Sequence, residues 1–199
     1  MSWVRFRRWL YFPLLAIFFG GAFLLAAFLY RPTPSGVAAL AALIVALSIP
    51  GIIGRLLLRD LLASRAHHAR AHYMEALGAA RRFLDQLKRR PWIRHAIWTQ
   101  FGVYTLSVEA MALSNAGAAL LEMLRFDEAR GQFLRARDID PNYPIPVFNL
   151  AVIAKLLGDA QGSENLAGEA ARLGFAHGDL DAILNSIGQT YARLATRRR

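Results

Sequence analysis

Two long uncharged runs restrict this chain more than any other feature. No charged residue stands between Arg8 and Arg31, where the chain reads "WLYFPLLAIFFGGAFLLAAFLY". None stands between Arg31 and Arg55 either, a stretch that is mostly the apolar "GVAALAALIVALSIPGIIG". About 20 apolar residues rising 1.5 Å each cross a hydrocarbon layer of ~30 Å. The runs therefore predict two membrane spans, over 9–30 and 36–54, joined by the polar turn "RPTPSG" and forming a hairpin over 1–54. A signal peptide is the alternative for the first run, since "WVRFRR" is a basic start. The run is long for that role and no small-x-small cleavage site follows it. Trp3, Trp9, Tyr11 and Tyr30 sit near the ends of the first span, where amphipathic rings favour the interface. Neither span carries an ionisable group, which argues against an ion or proton pathway built by this chain alone.

Sidedness follows from the arginines. Arg5, Arg7 and Arg8 precede the first span, Arg31 alone lies in the turn, and Arg55, Arg59, Arg65 and Arg70 follow the second. The positive-inside tendency then puts both termini in the cytoplasm, at the inner or plasma membrane if the cell is bacterial. The absence of cysteine fits a reducing compartment.

A net charge of +10 invites a nucleic-acid reading, but its distribution opposes one. Residues 55–95 carry a net +7, whereas 96–199 carry −1. The excess lies beside the expected membrane, where anionic headgroups attract basic residues at about 1 kcal/mol each. Arg55, Arg59, Arg65 and Arg70 are the expected lipid contacts, and no nucleic acid is expected.

From residue 55 onward the chain reads as helix. "RLLLRDLLASRAHHARAHYMEALGAARRFLDQLKRR" places Leu58, Leu62, Ala66, Ala69, Tyr73, Leu77, Ala80, Leu84 and Leu87 at helical spacing, which predicts one amphipathic juxtamembrane helix over 55–90. Pro91 ends it. Residues 91–109 read as an aromatic connector with Trp92, Trp98, Phe101 and Tyr104. Four short helical patterns follow, broken at "DIDPNYP", and a last one over 178–196 precedes "RRR". Short helices on tight turns must lie antiparallel and stack to bury anything.

Sliding the chain along itself until Asn115 falls on Asn149 also sets Gly117 on Ala151 and Ala136 on Ala170. Ala129, Phe133 and Pro141 follow Gly117 within the first copy. Small residues at Gly117 and Ala129 allow two helices to cross closely, Phe133 fills the gap between turns, and Pro141 stops the second helix. "SNAGAALLEMLRFDEARGQFLRARDIDP" resembles the tetratricopeptide repeat, with its small, small, aromatic, small, proline signature. The resemblance makes 110–143 one repeat and 144–177 a second, the latter departing at Ser163, Ala167 and Phe175. The same shift backwards finds no third. The resemblance covers about a third of the chain.

The fold expected is thus all-α: a transmembrane hairpin, a basic helix, an aromatic connector, and a cytoplasmic solenoid of about two tetratricopeptide repeats over 110–177. Residues 178–199 form a capping helix and basic tail; oligomerisation is another way to cover the ends. The family holds protein partners in a concave face lined by the first helix of each repeat. By that resemblance Ser114, Asn115, Phe148, Asn149, Val152 and Lys155 line a groove, each asparagine able to pair with an extended backbone. The competing reading makes both asparagines stabilisers of the helix pair. His68, His72 and Glu75 have metal-ligand spacing on one continuous helix, but Arg65, Arg70 and His67 oppose a cation and no cysteine assists, so no metal is expected. No phosphate loop, nucleophile elbow or H-E-x-x-H occurs. A non-enzymatic, cofactor-free scaffold or adaptor for an unknown protein partner is the expectation, as an accessory or assembly subunit of a membrane complex. The alternative is a structural subunit whose transmembrane hairpin packs in such a complex, with the repeats as spacer.

Overall fold

A computed structural model describes residues 51–99 and 104–175, together with residues 20, 21, 24, 41, 44, 48, 181, 182, 184, 185, 187–189 and 192. Among them are helices and turns, and no strand. The expected spans over 9–30 and 36–54 lie mostly outside the described residues. Their described members are helical, and among the described residues no helix is long and apolar enough to cross a membrane.

The stretch read as one helix over 55–90 is two: α1, Arg59–Ala69, and α2, Tyr73–Arg89. Residues 51–57 lead into α1, with the Leu58 N–H donating to Gly54 and that of Leu62 to Leu58, both at 2.9 Å. The break between α1 and α2 is made by Ala71, held at φ 58°, while the His72 N–H returns to the His67 carbonyl at 2.9 Å. This 6→1 bond is the usual way of closing a helix end. A left-handed alanine costs about 1–2 kcal/mol, and the antiparallel packing of α1 on α2 offsets it. Leu58 and Leu61 join Phe83 and Leu87 in one buried cluster, and Arg82 reaches Asp60 at 3.4 Å.

After a 3₁₀ segment, Pro91–Thr99, come α3 (Val108–Glu122), α4 (Phe126–Ile139), α5 (Pro144–Leu156) and α6 (Ala160–Arg172). The Ser107 hydroxyl caps α3 by accepting the Ala110 N–H, and the Asp159 carboxylate caps α6 through Gly162 at 2.8 Å. Prolines 144 and 146 do not interrupt anything. They occupy the first turn of α5, where a missing N–H leaves no bond unmade.

Three hairpins result, α1–α2, α3–α4 and α5–α6, stacked in chain order with α2 against α3 and α4 against α5. Their turns share one geometry. Ala71, Leu124 and Gly158 are each left-handed, and the next N–H returns to the carbonyl of His67, Leu120 or Ala154. Leu124 and Gly158 keep the spacing that separates Asn115 from Asn149, but Ala71 stands further ahead of Leu124. At the matched positions Ser64, Gly117 and Ala151 are all buried, as are Ala76, Ala129 and Ser163, then Ala80, Phe133 and Ala167, then Phe83, Ala136 and Ala170. A third hairpin therefore precedes the two expected ones, displaced by the connector.

α3 is buried on nearly every side. Its alanines and Gly117 let α2, α4 and α5 all approach it. The main core joins Leu77, Leu120, Phe133, Val147 and Ile153, and the buried Leu184 from beyond α6 belongs to it.

Candidate partner-binding site

The six residues expected to line a groove divide into two groups. Ser114, Phe148 and Val152 are core, with exposures of 2, 7 and 2 %. The Phe148 ring lies against Phe175, centroids 4.4 Å apart, and Val152 belongs to the main core. These three are corrections to the sequence reading: a first helix packed against both neighbours presents fewer of its residues outward than a helix with one free face.

Asn115, Asn149 and Lys155 remain half-exposed. α3 and α5 are in contact, so the two asparagines recur at equivalent places on adjoining helices. They are not chemically equivalent. The Asn149 Nδ2 donates to the Ile145 carbonyl, one turn back, at 2.9 Å. That bond is the helix-stabilising role. The Asn115 Nδ2 is buried and has no acceptor among the described residues, a condition that costs roughly 1–3 kcal/mol where it persists. Rotation about χ2, a soft torsion, turns this amide toward the half-exposed side. Lys155 lies in the last turn of α5, where its charge also complements the helix dipole.

A polar node that the sequence reading did not single out sits at the start of α5. The Thr105 hydroxyl donates to the Asp140 carboxylate at 2.5 Å and accepts the Ser107 N–H at 3.0 Å. Asp140 also accepts the Asn142 N–H at 3.1 Å and is itself buried. The acid of the "DP" ending thus ties the connector to the turn before α5. Beside it Tyr143 is 2 % exposed. Burial pushes its phenol above the ordinary value of 10.0; a hydrogen bond with Ser114 and the charge of Arg65 pull it back, and the Asp140 charge raises it further.

The sign of the resulting pH dependence is fixed. With the folded pKa above the unfolded one, the contribution of Tyr143 is fully present below pH 10 and is lost as pH rises through the folded value. Above the unfolded value each pH unit removes up to about 1.4 kcal/mol per tyrosine. Urea titrations between pH 9 and 11 are expected to show stability falling for the parent and falling less for Tyr143→Phe. Equal slopes refute the assignment. Tyr73, raised by burial and then by Glu122, accounts for part of what remains.

The other expected sites are also placed. His68 and His72 do not share a helix face, because the helix breaks between them at Ala71. Their rings instead meet Tyr73 and His67, at 5.5 and 6.3 Å, and no metal-holding cluster occurs among the described residues. Arg55, Arg59, Arg65 and Arg70 are all exposed, but they spread along the helix over roughly 22 Å at 1.5 Å per residue. No protein-family model matches the chain, and no curated protein matches it.

Proposed function

We propose that this chain is a membrane-anchored adaptor. In this reading a hairpin of spans over 9–30 and 36–54 fixes a cytoplasmic stack of tetratricopeptide-like hairpins to the bilayer, and the half-exposed side of α3 and α5 holds a protein partner without catalysis. Three stacked hairpins with a common turn geometry support the solenoid reading. Leu24, Ile44, Ile52, Ile53 and Leu56 are between 49 and 68 % exposed, which supports lipid around them. Ser48 returns its hydroxyl to the Ile44 carbonyl at 2.9 Å, so its one polar group needs no water.

The observation that carries the partner assignment is the unmatched Asn115 donor beside a matched Asn149. A carbonyl on an extended partner segment supplies the acceptor that Asn115 lacks. Partner recovery from detergent extracts is expected to fall most for Asn115→Ala, about three- to tenfold for one hydrogen bond. Asn149→Ala has a smaller effect, because its donor already serves the helix, and Lys155→Ala weakens only an acidic partner. Unchanged recovery with all three substitutions removes the assignment. Flotation of the full chain with vesicles tests the anchor separately.

A second reading, a structural subunit packed through its spans, has its own support. Among the described residues nothing lies within 4 Å of a Cβ built at Gly20, Gly21 or Gly51, which supports small-residue faces open to other helices.

A further inference from the structure

The membrane-anchor reading has a geometric consequence at the end of the stack where residues 51–58 enter it. Because α2 runs back antiparallel to α1, its C-terminal run returns to the level of Leu58. Leu58, Leu87 and Ile93 share one buried cluster, which fixes Arg89, Arg90 and Trp92 beside the entering helix. Arg89 and Arg90 are exposed, and Trp92 keeps 56 % of its surface free although Ile93 next to it is fully buried.

The charges at this end lack local partners. Arg55, Arg59, Arg89 and Arg90 are exposed and make no ion pair among the described residues. Of the nearby carboxylates, Asp60 pairs with Arg82, Asp85 with Lys88 and Glu109 with Arg94, while Asp140 is buried under the Thr105 hydroxyl and Asp138 stands exposed at the end of α4. At the opposite end, the hairpin turns carry Glu75, Glu122, Asp127, Glu128 and Asp159 against Arg70, Arg125 and Lys155. The stack is thus basic where it meets the entering helix and acidic where it points away. A half-exposed tryptophan among unpaired arginines is the composition of a bilayer interface.

We propose that Arg55, Arg59, Arg89, Arg90 and Trp92 form one surface that seats on anionic lipid headgroups and stands the hairpin stack upright on the membrane. The proposal rests on the anchor reading. It replaces the expected row along α1, since Arg70 stands at the far end of that helix.

The test uses the full chain in vesicles of phosphatidylcholine, with or without phosphatidylserine, carrying lipids brominated near the headgroup. Trp3, Trp9 and Trp98 are changed to phenylalanine, so Trp92 reports alone. Its emission is expected to be blue-shifted and quenched in the anionic vesicles and much less so in the neutral ones. Arg89→Gln with Arg90→Gln shifts the seated-to-released equilibrium roughly twenty-five-fold toward release, at about fivefold for each arginine. Should the tryptophan changes disturb folding, Lys88→Cys supplies a unique nitroxide site in a chain without cysteine, read by collision with oxygen against a nickel chelate. A chain that floats with the vesicles but shows neither quenching nor an arginine effect overturns this proposal alone. Equal quenching in neutral vesicles does the same. A chain that does not float overturns the anchor and the proposal together.

Discussion

Phe133→Ala is expected to destabilise the hairpin stack by about 3–5 kcal/mol, the range for truncating a buried aromatic ring. Phe133 has no exposed surface and lies in the main core, between the two helices of the middle hairpin. Across from it is Gly117, where a Cβ would stand 2.7 Å from the Phe133 Cε1. Ring and glycine are therefore one packing unit. Gly117→Ala alone gains about 0.5–1 kcal/mol of helix propensity but forces a fully enclosed ring to move, at about 1–3 kcal/mol. Its net effect is destabilising. In the Phe133→Ala background the clash is gone, so Gly117→Ala is expected to become neutral or stabilising. That reversal of sign, read from urea titrations of the four proteins in mild detergent, is a coupling no independent pair of sites produces. Additive effects would mean that the ring does not lie over Gly117.

The reversal also explains why this part of the chain was legible. Glycine opposite phenylalanine, alanine at the next crossing and proline after the helix are each required by contact geometry, so a regular spacing writes itself into the sequence. Ser163 and Ala167 break that signature yet are buried at the same places as Ala129 and Phe133. A smaller residue at the ring position still packs when the neighbouring helix moves closer. The first hairpin was hidden for two physical reasons. Its turn is made by Ala71 at φ 58°, where a glycine or proline would have marked the break. Its turn also stands further from Leu124 than Leu124 does from Gly158, because the connector intervenes. At the longer spacing Ser64 and Ala76 match Gly117 and Ala129, but Ala80 stands at the ring position of Phe133 and Phe83 at the small position of Ala136, so the signature is broken there.

The site was less legible than the fold. Residue type gave Asn115 and Asn149 the same role, whereas their hydrogen bonds separate them. Asp140 has the residue type and place of any turn carboxylate, and its partner Thr105 lies far earlier, in a segment without pattern. Hydrogen bonds between distant side chains leave no periodic trace.

A fragment of residues 105–199, which contains both hairpins that the sequence announced, is expected not to fold, whereas 55–199 is expected to unfold cooperatively. The missing hairpin is not a spacer. Ala76, Leu77 and Ala80 pack into the same cluster as Ala116, Ala119 and Leu120, and Phe83 and Leu87 pack with Val108, Met111 and Ala112. Losing Leu77, Phe83 and Leu87 alone forfeits roughly 4.5–9 kcal/mol, at about 1.5–3 kcal/mol per large buried side chain. A domain of this size has only about 5–15 kcal/mol of net stability, so the loss consumes most or all of it. The fragment also uncovers Met111 and Leu120 on α3, a helix otherwise buried on nearly every side. Far-UV circular dichroism during heating distinguishes the outcomes: a sigmoidal loss of helix for 55–199, and a shallow, non-cooperative decline for 105–199. A sharp transition in the shorter fragment would show that the first hairpin is an attachment to the stack and not its end.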